Sequence, residues 1–351
     1  MLEQWLKKTL KPLVQDIDME GLYPDQILRG LGEHGCFSSQ DRSYLETVQQ
    51  EVETVKVVSK FCMTTGFIAW CHLALLTYVR HTSNEALKQQ FLPGLERGDI
   101  LGGTGLSNPM KHFAGLEPLH LSAKPVGENY EVSGTLPSVS NLGPNHWFGA
   151  VARVEGEDRN IMIFVNCSSE NIRLKEKKDY LGINGSATYA VRFSEQVIRA
   201  EHILAEDADA FVATIRPYFL VYQIPLGFGV MEAAIAAVKS ANSKQNGCNE
   251  YLSEQPDTIS ALLKEQEATL SNQFANKDEL YWEALLPIRK ASAEGAILAA
   301  HMTMLHVGGP AYTKKSHPAR RLREAYFLVN LTPTIRHLEK MMDNTETRVA
   351  K

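Results

Sequence analysis

Residues 119–165 read LHLSAKPVGENYEVSGTLPSVSNLGPNHWFGAVARVEGEDRNIMIFV. Apolar residues recur there at steps of two, β-branched side chains are frequent, and Gly, Asn, Asp and Pro separate the runs. That is the pattern of short strands joined by turns. Across this segment and its continuation the predicted strands are Leu119–Lys124, Asn129–Ser133, Trp147–Val154, Ile161–Val165, Ile172–Leu174 and Thr188–Phe193. Turns fall at Val126-Gly127-Glu128 and over 155–158. No helical pattern long enough for a β-α-β crossover intervenes, so residues 101–206 are expected to form an antiparallel β-barrel or sandwich.

On the N-terminal side, 1–100, the period is helical. Trp5, Leu6, Leu10 and Leu13 recur at steps of three and four, as do Val52, Val55, Val58 and Cys62. Phe61–Tyr78 is apolar nearly all round and predicts a helix buried on several faces. Asn84 or Ser83 caps a helix reading EALKQQFL, expected to end at Pro93-Gly94. On the C-terminal side, 207–351, the helical period returns. Phe219–Val238 has the length of a membrane span, but Gln223, Pro225 and Glu232 interrupt it and no basic cluster flanks it, so it reads as one core helix. Its small residues, Gly227 and Gly229 among them, predict close approach by neighbours. Asn242–Asp257 reads as a connection, Thr258–Gln273 as a helix, and 287–306 as a further helix stopped by Gly308-Gly309-Pro310. The fold class is therefore α+β: a helical bundle, a β-domain and a second helical bundle.

The 351 residues carry 36 Lys and Arg against 41 Asp and Glu, a formal net charge of −5, which provides no cationic field for nucleic acid. Five cysteines form no C-x-x-C pair, and their odd number cannot be fully bridged, so reduced thiols in the cytoplasm are expected. The opening MLEQWLKKTLKPLVQDID alternates charged and apolar residues and does not read as a signal peptide. The G-G-T-G of 102–105 lacks the spacing of a phosphate loop and reads as a turn into the β-domain. Ser186 is not framed as a hydrolase nucleophile. The histidines show no H-E-x-x-H, and His301 and His306 fall on different helix faces, so no metal site is expected. His72 reads as a core histidine. Lys314, Lys315, Arg320, Arg321 and Arg323 form the one dense basic cluster, suited either to phosphate groups or to pairing with acidic neighbours.

Several stretches, in order, resemble the acyl-CoA dehydrogenase family. Asn84–Pro109, NEALKQQFLPGLERGDILGGTGLSNP, is similar to the family's helix, Leu-Pro and Thr-Glu-Pro-like segment, with Ser107-Asn108-Pro109 in the last place. Ser133–Gly143, SGTLPSVSNLG, keeps Gly134, Ser140 and Asn141 of a family stretch, with Ser138 replacing an aromatic. Residues 181–186, LGINGS, with VRFSEQVIRAEHIL over 191–204 resemble a third segment, with Ala200 in a proline's place. Residues 306–312, HVGGPAY, then His317-Pro318 and Arg320–Ala325, resemble Gly-Gly-x-Gly-Tyr followed by Pro and Arg-x-x-Arg-Asp-Ala.

The resemblance implies FAD held between the β-domain and the second bundle, and a homodimer or homotetramer in which a partner completes the pocket. Leu106 and Ser107 would meet the flavin edge, Ser138 and Ser140 would line its other side, Gly308 and Gly309 would approach a partner's pyrophosphate, and Thr334 matches the threonine of Glu-Gly-Thr. The implied substrate is an acyl-CoA or carrier-linked acyl group. The family's base is absent: counting from Arg323 places Thr332 at the glutamate position, and the alternative position early in the small-residue helix holds Phe219, with Tyr218 and Tyr222 nearby. Glu232 is the remaining candidate base. The family's Arg-x-Gln-Phe-Gly reads Ser243-Lys244-Gln245-Asn246-Gly247, where Lys244 could replace the lost arginine charge, and Leu305 stands where the family has a glutamine. The readings implied are an FAD-dependent oxidoreductase acting on an acyl thioester, a flavin monooxygenase that needs no α-proton base, and a non-catalytic binding or structural homologue.

Overall fold

The structure is a computed structural model and describes residues 1–242, 245–275 and 278–349. Ser243 and Lys244 therefore lie outside the described residues. Helices α1 (Leu2–Thr9), α2 (Val14–Met19), α3 (Asp25–Glu33), α4 (Tyr44–Phe61), α5 (Met63–His81) and α6 (Glu85–Glu96) form the first layer. A Ser43/Glu46 capping box opens α4. Every residue from Met63 to Val79 of α5 is buried, as its all-round apolar sequence requires. Asn84 caps α6 by accepting the Leu87 N–H. Helix α6 does not stop at Pro93 but runs through it to Glu96, giving up one backbone bond where packing of Leu87, Phe91 and Leu95 offsets the loss.

The middle layer comprises β1 (Gly102–Thr104), the short helix α7 (Ser107–Phe113), β2 (Leu121–Val126), β3 (Asn129–Val139), β4 (Trp147–Val154), β5 (Asn160–Asn166), β6 (Ile172–Glu176), β7 (Tyr189–Ile198) and β8 (Ile203–Ala205). The sheet order is β6-β7-β3-β2-β4-β5-β8, with β1 also on β4. Most pairs are antiparallel, but β1 and β2 both run parallel to β4, so the sheet is mixed. Alternation in a sequence records which face a side chain takes, not the direction of the partner strand. The G-G-T expected as a turn is strand β1. A Cβ at Gly102 would lie 1.9 Å from the Trp147 carbonyl oxygen and one at Gly103 2.0 Å from that of Ser140, so glycine permits this pairing. Leu121, Val132, Val191 and Phe193 share one buried cluster with Phe148, Ile161, Ile163 and Ile203, so the sheet folds over its own core.

The third layer holds α8 (Ala208–Val221), α9 (Ile224–Asn242), α10 (Pro256–Phe274), α11 (Trp282–Val307), α12 (His317–Asn330) and α13 (Ile335–Val349). The single helix expected over 219–238 is two, broken at Tyr222-Gln223 just before Pro225. The stretch 208–241 is long and apolar enough to cross a membrane by composition, yet 89% of its most apolar window is buried inside the protein. Gly227 and Gly229 set its packing: Cβ atoms there would meet Ser292 at 2.3 Å and Ser59 at 2.5 Å, which wedges α9 between α11 and α4. One apolar core runs from Leu6 through α5, α8 and α11 to Leu338, so the two helical layers share an interior.

Candidate active site between sheet and helices

The three layers meet around a cavity of about 420 Å³, within the size range of small-molecule sites. From the sheet side come Thr104 at the end of β1, Ser107 at the start of α7, Ser138 and Ser140 at the end of β3, and Thr188 before β7. Their hydroxyls line that wall, and two of them bond to each other. Ser140 Oγ is 2.7 Å from Thr188 Oγ1, which is 2.8 Å from Ser186 Oγ. Thr104 Oγ1 is 2.6 Å from the Tyr78 hydroxyl. Ser138 Oγ donates to the Pro137 carbonyl and accepts from Lys177 Nζ at 3.2 Å.

From the helical side come Phe67, Trp70 and Cys71 of α5, Phe219 of α8, and Tyr326 and Phe327 of α12. Phe67 meets Phe327 edge-on at 4.8 Å, and Trp70 meets Phe219 edge-on at 5.0 Å. The Trp70 indole N–H donates to the Phe219 carbonyl at 2.9 Å, which anchors α5 to α8. Burial pushes the Cys71 thiol well above its ordinary range, so it stays protonated. Ser107 Oγ donates to Thr332 Oγ1 at 3.1 Å, so a hydroxyl pair joins the β-side to the loop after α12.

Among the described residues no Asp, Glu, His or Lys lines this cavity. The one lining cation, Arg323, pairs with the buried Asp18. Burial raises the Asp18 pKa, while the Arg323 guanidinium opposes that shift. Behind the aromatic wall, Arg320 and Glu324 form a buried pair with N–O distances of 3.1 and 3.0 Å, and Glu324 also accepts the Thr64 N–H at the start of α5. The basic cluster of the sequence is thus divided. Arg320 and Arg323 are each held by a carboxylate, while Lys314 and Lys315 are exposed.

Ser107, Ser138, Ser140 and Thr332 come together in this cavity, and Phe219, at the alternative base position, joins them. Leu106 does not reach the wall: it is fully buried, and its N–H donates to Thr104 Oγ1 at 3.3 Å instead of facing the cavity. Thr334 lines an adjoining groove of about 600 Å³ that shares Tyr326 and Asn330 with the cavity, and its buried hydroxyl has no partner. Gly308 (φ 68°) ends α11, and Gly309 has open space where a Cβ would stand; both lie away from this cavity. Glu232 is also elsewhere, 2.7 Å from Lys60 Nζ on the face between α9 and α4. His72 is a core residue, with Nε2 3.0 Å from the Leu95 carbonyl oxygen. The aromatic wall escaped sequence reasoning because Phe67, Trp70 and Phe327 sit at ordinary core spacings.

The residues present suit a planar ring system such as a flavin. Hydroxyls run along one side, aromatic side chains stand on the other, and among the described lining residues there is no carboxylate to repel a reduced ring. Residues 1–99 match the family model for the acyl-CoA dehydrogenase N-terminal domain. The short-chain specific acyl-CoA dehydrogenase of Clostridium acetobutylicum is 22% identical over 93% of this chain and 90% of its own. Butyryl-CoA dehydrogenase from Megasphaera elsdenii superposes with a TM-score of 0.87 at 16% identity, covering 99% of this chain and 96% of its own. Dibenzothiophene monooxygenase from Paenibacillus sp. A11-2 superposes with a TM-score of 0.78 at 16% identity, covering 98% and 95%. The chain therefore has the acyl-CoA dehydrogenase fold over its whole length, and its first 99 residues match that family's N-terminal domain model.

Proposed function

We propose that this protein is an FAD-dependent oxidoreductase acting on the CH–CH bond of an acyl thioester, carried by CoA or by a carrier protein, as a cytoplasmic homodimer or homotetramer. The observation that carries the reading is the convergence of Ser107, Ser138, Ser140 and Thr332, from three separate segments, on one slot. FAD bound there supplies the two-electron acceptor that the side chains lack. The chain's own residues bind and orient. Ser107, Ser138 and Ser140 offer hydroxyls along the ring edge, and Thr334 extends the site into the adjoining groove. Gly308 and Gly309, outside the cavity of their own subunit, would serve a partner's cofactor. Phe67, Trp70, Phe219 and Phe327 exclude water from the substrate end. The Thr332 hydroxyl, which accepts from Ser107, has its own proton free to meet a substrate oxygen. Glu232, already paired with Lys60, does not face this end.

A second reading has a specific observation in its favour. The absence of a carboxylate among the described lining residues suits a flavin monooxygenase, which needs no base for an α-proton. A visible spectrum of the purified protein with the bands of oxidised flavin supports both readings, and a colourless protein that takes up no FAD reduces it to a binding homologue. Anaerobic bleaching by butyryl-CoA then selects dehydrogenation. Oxygen consumption with a reduced flavin donor and a hydroxylated product selects the second reading.

A further inference from the structure

Arg289 of α11 is fully buried, yet among the described residues no carboxylate pairs with it. Arg80 and Arg320, also buried, are matched by Glu51 and Glu96 and by Glu324, whereas Arg321 shares with Arg289 the lack of a carboxylate partner among the described residues. Arg289 bonds only neutral acceptors. Its Nε donates to Gln223 Oε1 at 2.8 Å, one terminal nitrogen donates to the Leu328 carbonyl at 2.8 Å, and the other has no partner. Burial alone lowers its pKa to about 9. A cation held in this way is costly, and in a purely structural role an apolar side chain would serve better.

The hydrogen-bond directions show what it does. A guanidinium only donates, so the Gln223 amide must turn its oxygen toward Arg289. Its nitrogen is then left to donate to the Thr332 carbonyl, which it does at 2.9 Å. Gln223 sits at the break between α8 and α9 and is itself fully buried, so its amide finds no water. Thr332, held at its carbonyl, presents its hydroxyl to Ser107 at the cavity wall.

We propose that Arg289 is a positioning residue: by fixing the orientation of the Gln223 amide it holds the Thr332 segment in the place where the cavity meets substrate. The geometric claim stands on the hydrogen bonds alone, and its consequence for turnover rests on the flavin reading above.

The decisive variant is Gln223→Glu. It gives Arg289 a counter-charge, which protects the fold, and it removes the donor to Thr332. In a Ser107→Cys/Thr332→Cys background, oxidation to a disulfide reports whether residue 332 still faces residue 107. Adding Gln223→Glu or Arg289→Met should slow that closure by roughly tenfold or more, with Arg289→Lys in between, and Gln223→Glu should leave the thermal midpoint where it was. Closure at an unchanged rate in Gln223→Glu overturns the proposal, as does slowing that merely follows the thermal midpoint across the series. FAD binding, followed by quenching of flavin fluorescence in the unmodified protein, is scored separately. Slowed closure with no FAD uptake leaves the positioning role standing and removes the flavin reading.

Discussion

The two walls of the cavity are built on different principles. The sheet-side wall is made of Ser107, Ser138, Ser140 and Thr188, whose hydroxyls bond to one another, to backbone or to a side chain across the slot. These side chains are small and contribute little to the core. The helical wall is made of Phe67, Trp70, Phe219 and Phe327, which belong to or pack against the continuous interior of the two bundles. One wall is chemistry laid over a scaffold, and the other is the scaffold itself. Substitutions on the first should alter ligand binding with little change in stability, whereas those on the second should unsettle the whole protein.

The sharpest way to break this contrast is Trp70→Ala. It removes a ring that is 3% exposed, its bond to the Phe219 carbonyl and its stacking on Phe67, and should cost about 3–5 kcal/mol. Urea unfolding measures this, and a loss below about 1 kcal/mol would show that α5 is not structural at this wall. Two residues further along α5, burial holds His72 at a pKa of about 4 against its ordinary 6.5. The unfolded chain therefore binds the proton more readily, and stability should fall as pH drops from 6.5 toward 4. The His72-dependent part should reach about 3 kcal/mol. Unfolding curves of the wild type and His72→Gln across that range should converge as pH falls, and parallel curves would refute the assignment.

Thr332→Glu places a carboxylate where the slot has a hydroxyl. Stability should fall by about 1–3 kcal/mol, because the new group is mostly buried. If the dehydrogenase reading is right, butyryl-CoA should bleach the flavin of this variant faster than that of the wild type in anaerobic stopped flow. Ser107→Ala should give the smallest change in folding, about 1 kcal/mol or less. Its weakening of FAD affinity, measured by fluorescence titration, should exceed that loss. Equal effects on folding and binding would erase the distinction between the walls.

Much of the layout was legible in the chain. Alternation over 119–165 marked the sheet, the all-apolar run of α5 marked the central helix, and Gly227 and Gly229 marked a helix that neighbours approach closely. Ser107, Ser138 and Ser140 were reached through the family resemblance of the short segments around them, and Thr188 of the same wall was not. Leu106, in the same stretch, is buried at the start of α7 and is not among the residues lining the cavity. Glu232 looked available in a list of carboxylates, and only the fold brings Lys60 against it. Pro93 and Pro225 show the same limit from opposite sides: packing carries α6 through the first, while the chain breaks just before the second.

The sequence by itself determined the order of a helical region, a strand-rich region and a second helical region, and that the middle of α5 is interior. Those properties are set by side-chain chemistry and its period along the backbone. Only the tertiary structure decided that Phe219 and Thr332 share one cavity with Phe67 and Trp70, that β1 and β2 run parallel to β4, and that Arg289 reaches Thr332 through Gln223. These are relations between residues far apart in the chain, fixed by how whole elements pack, and no local pattern encodes them.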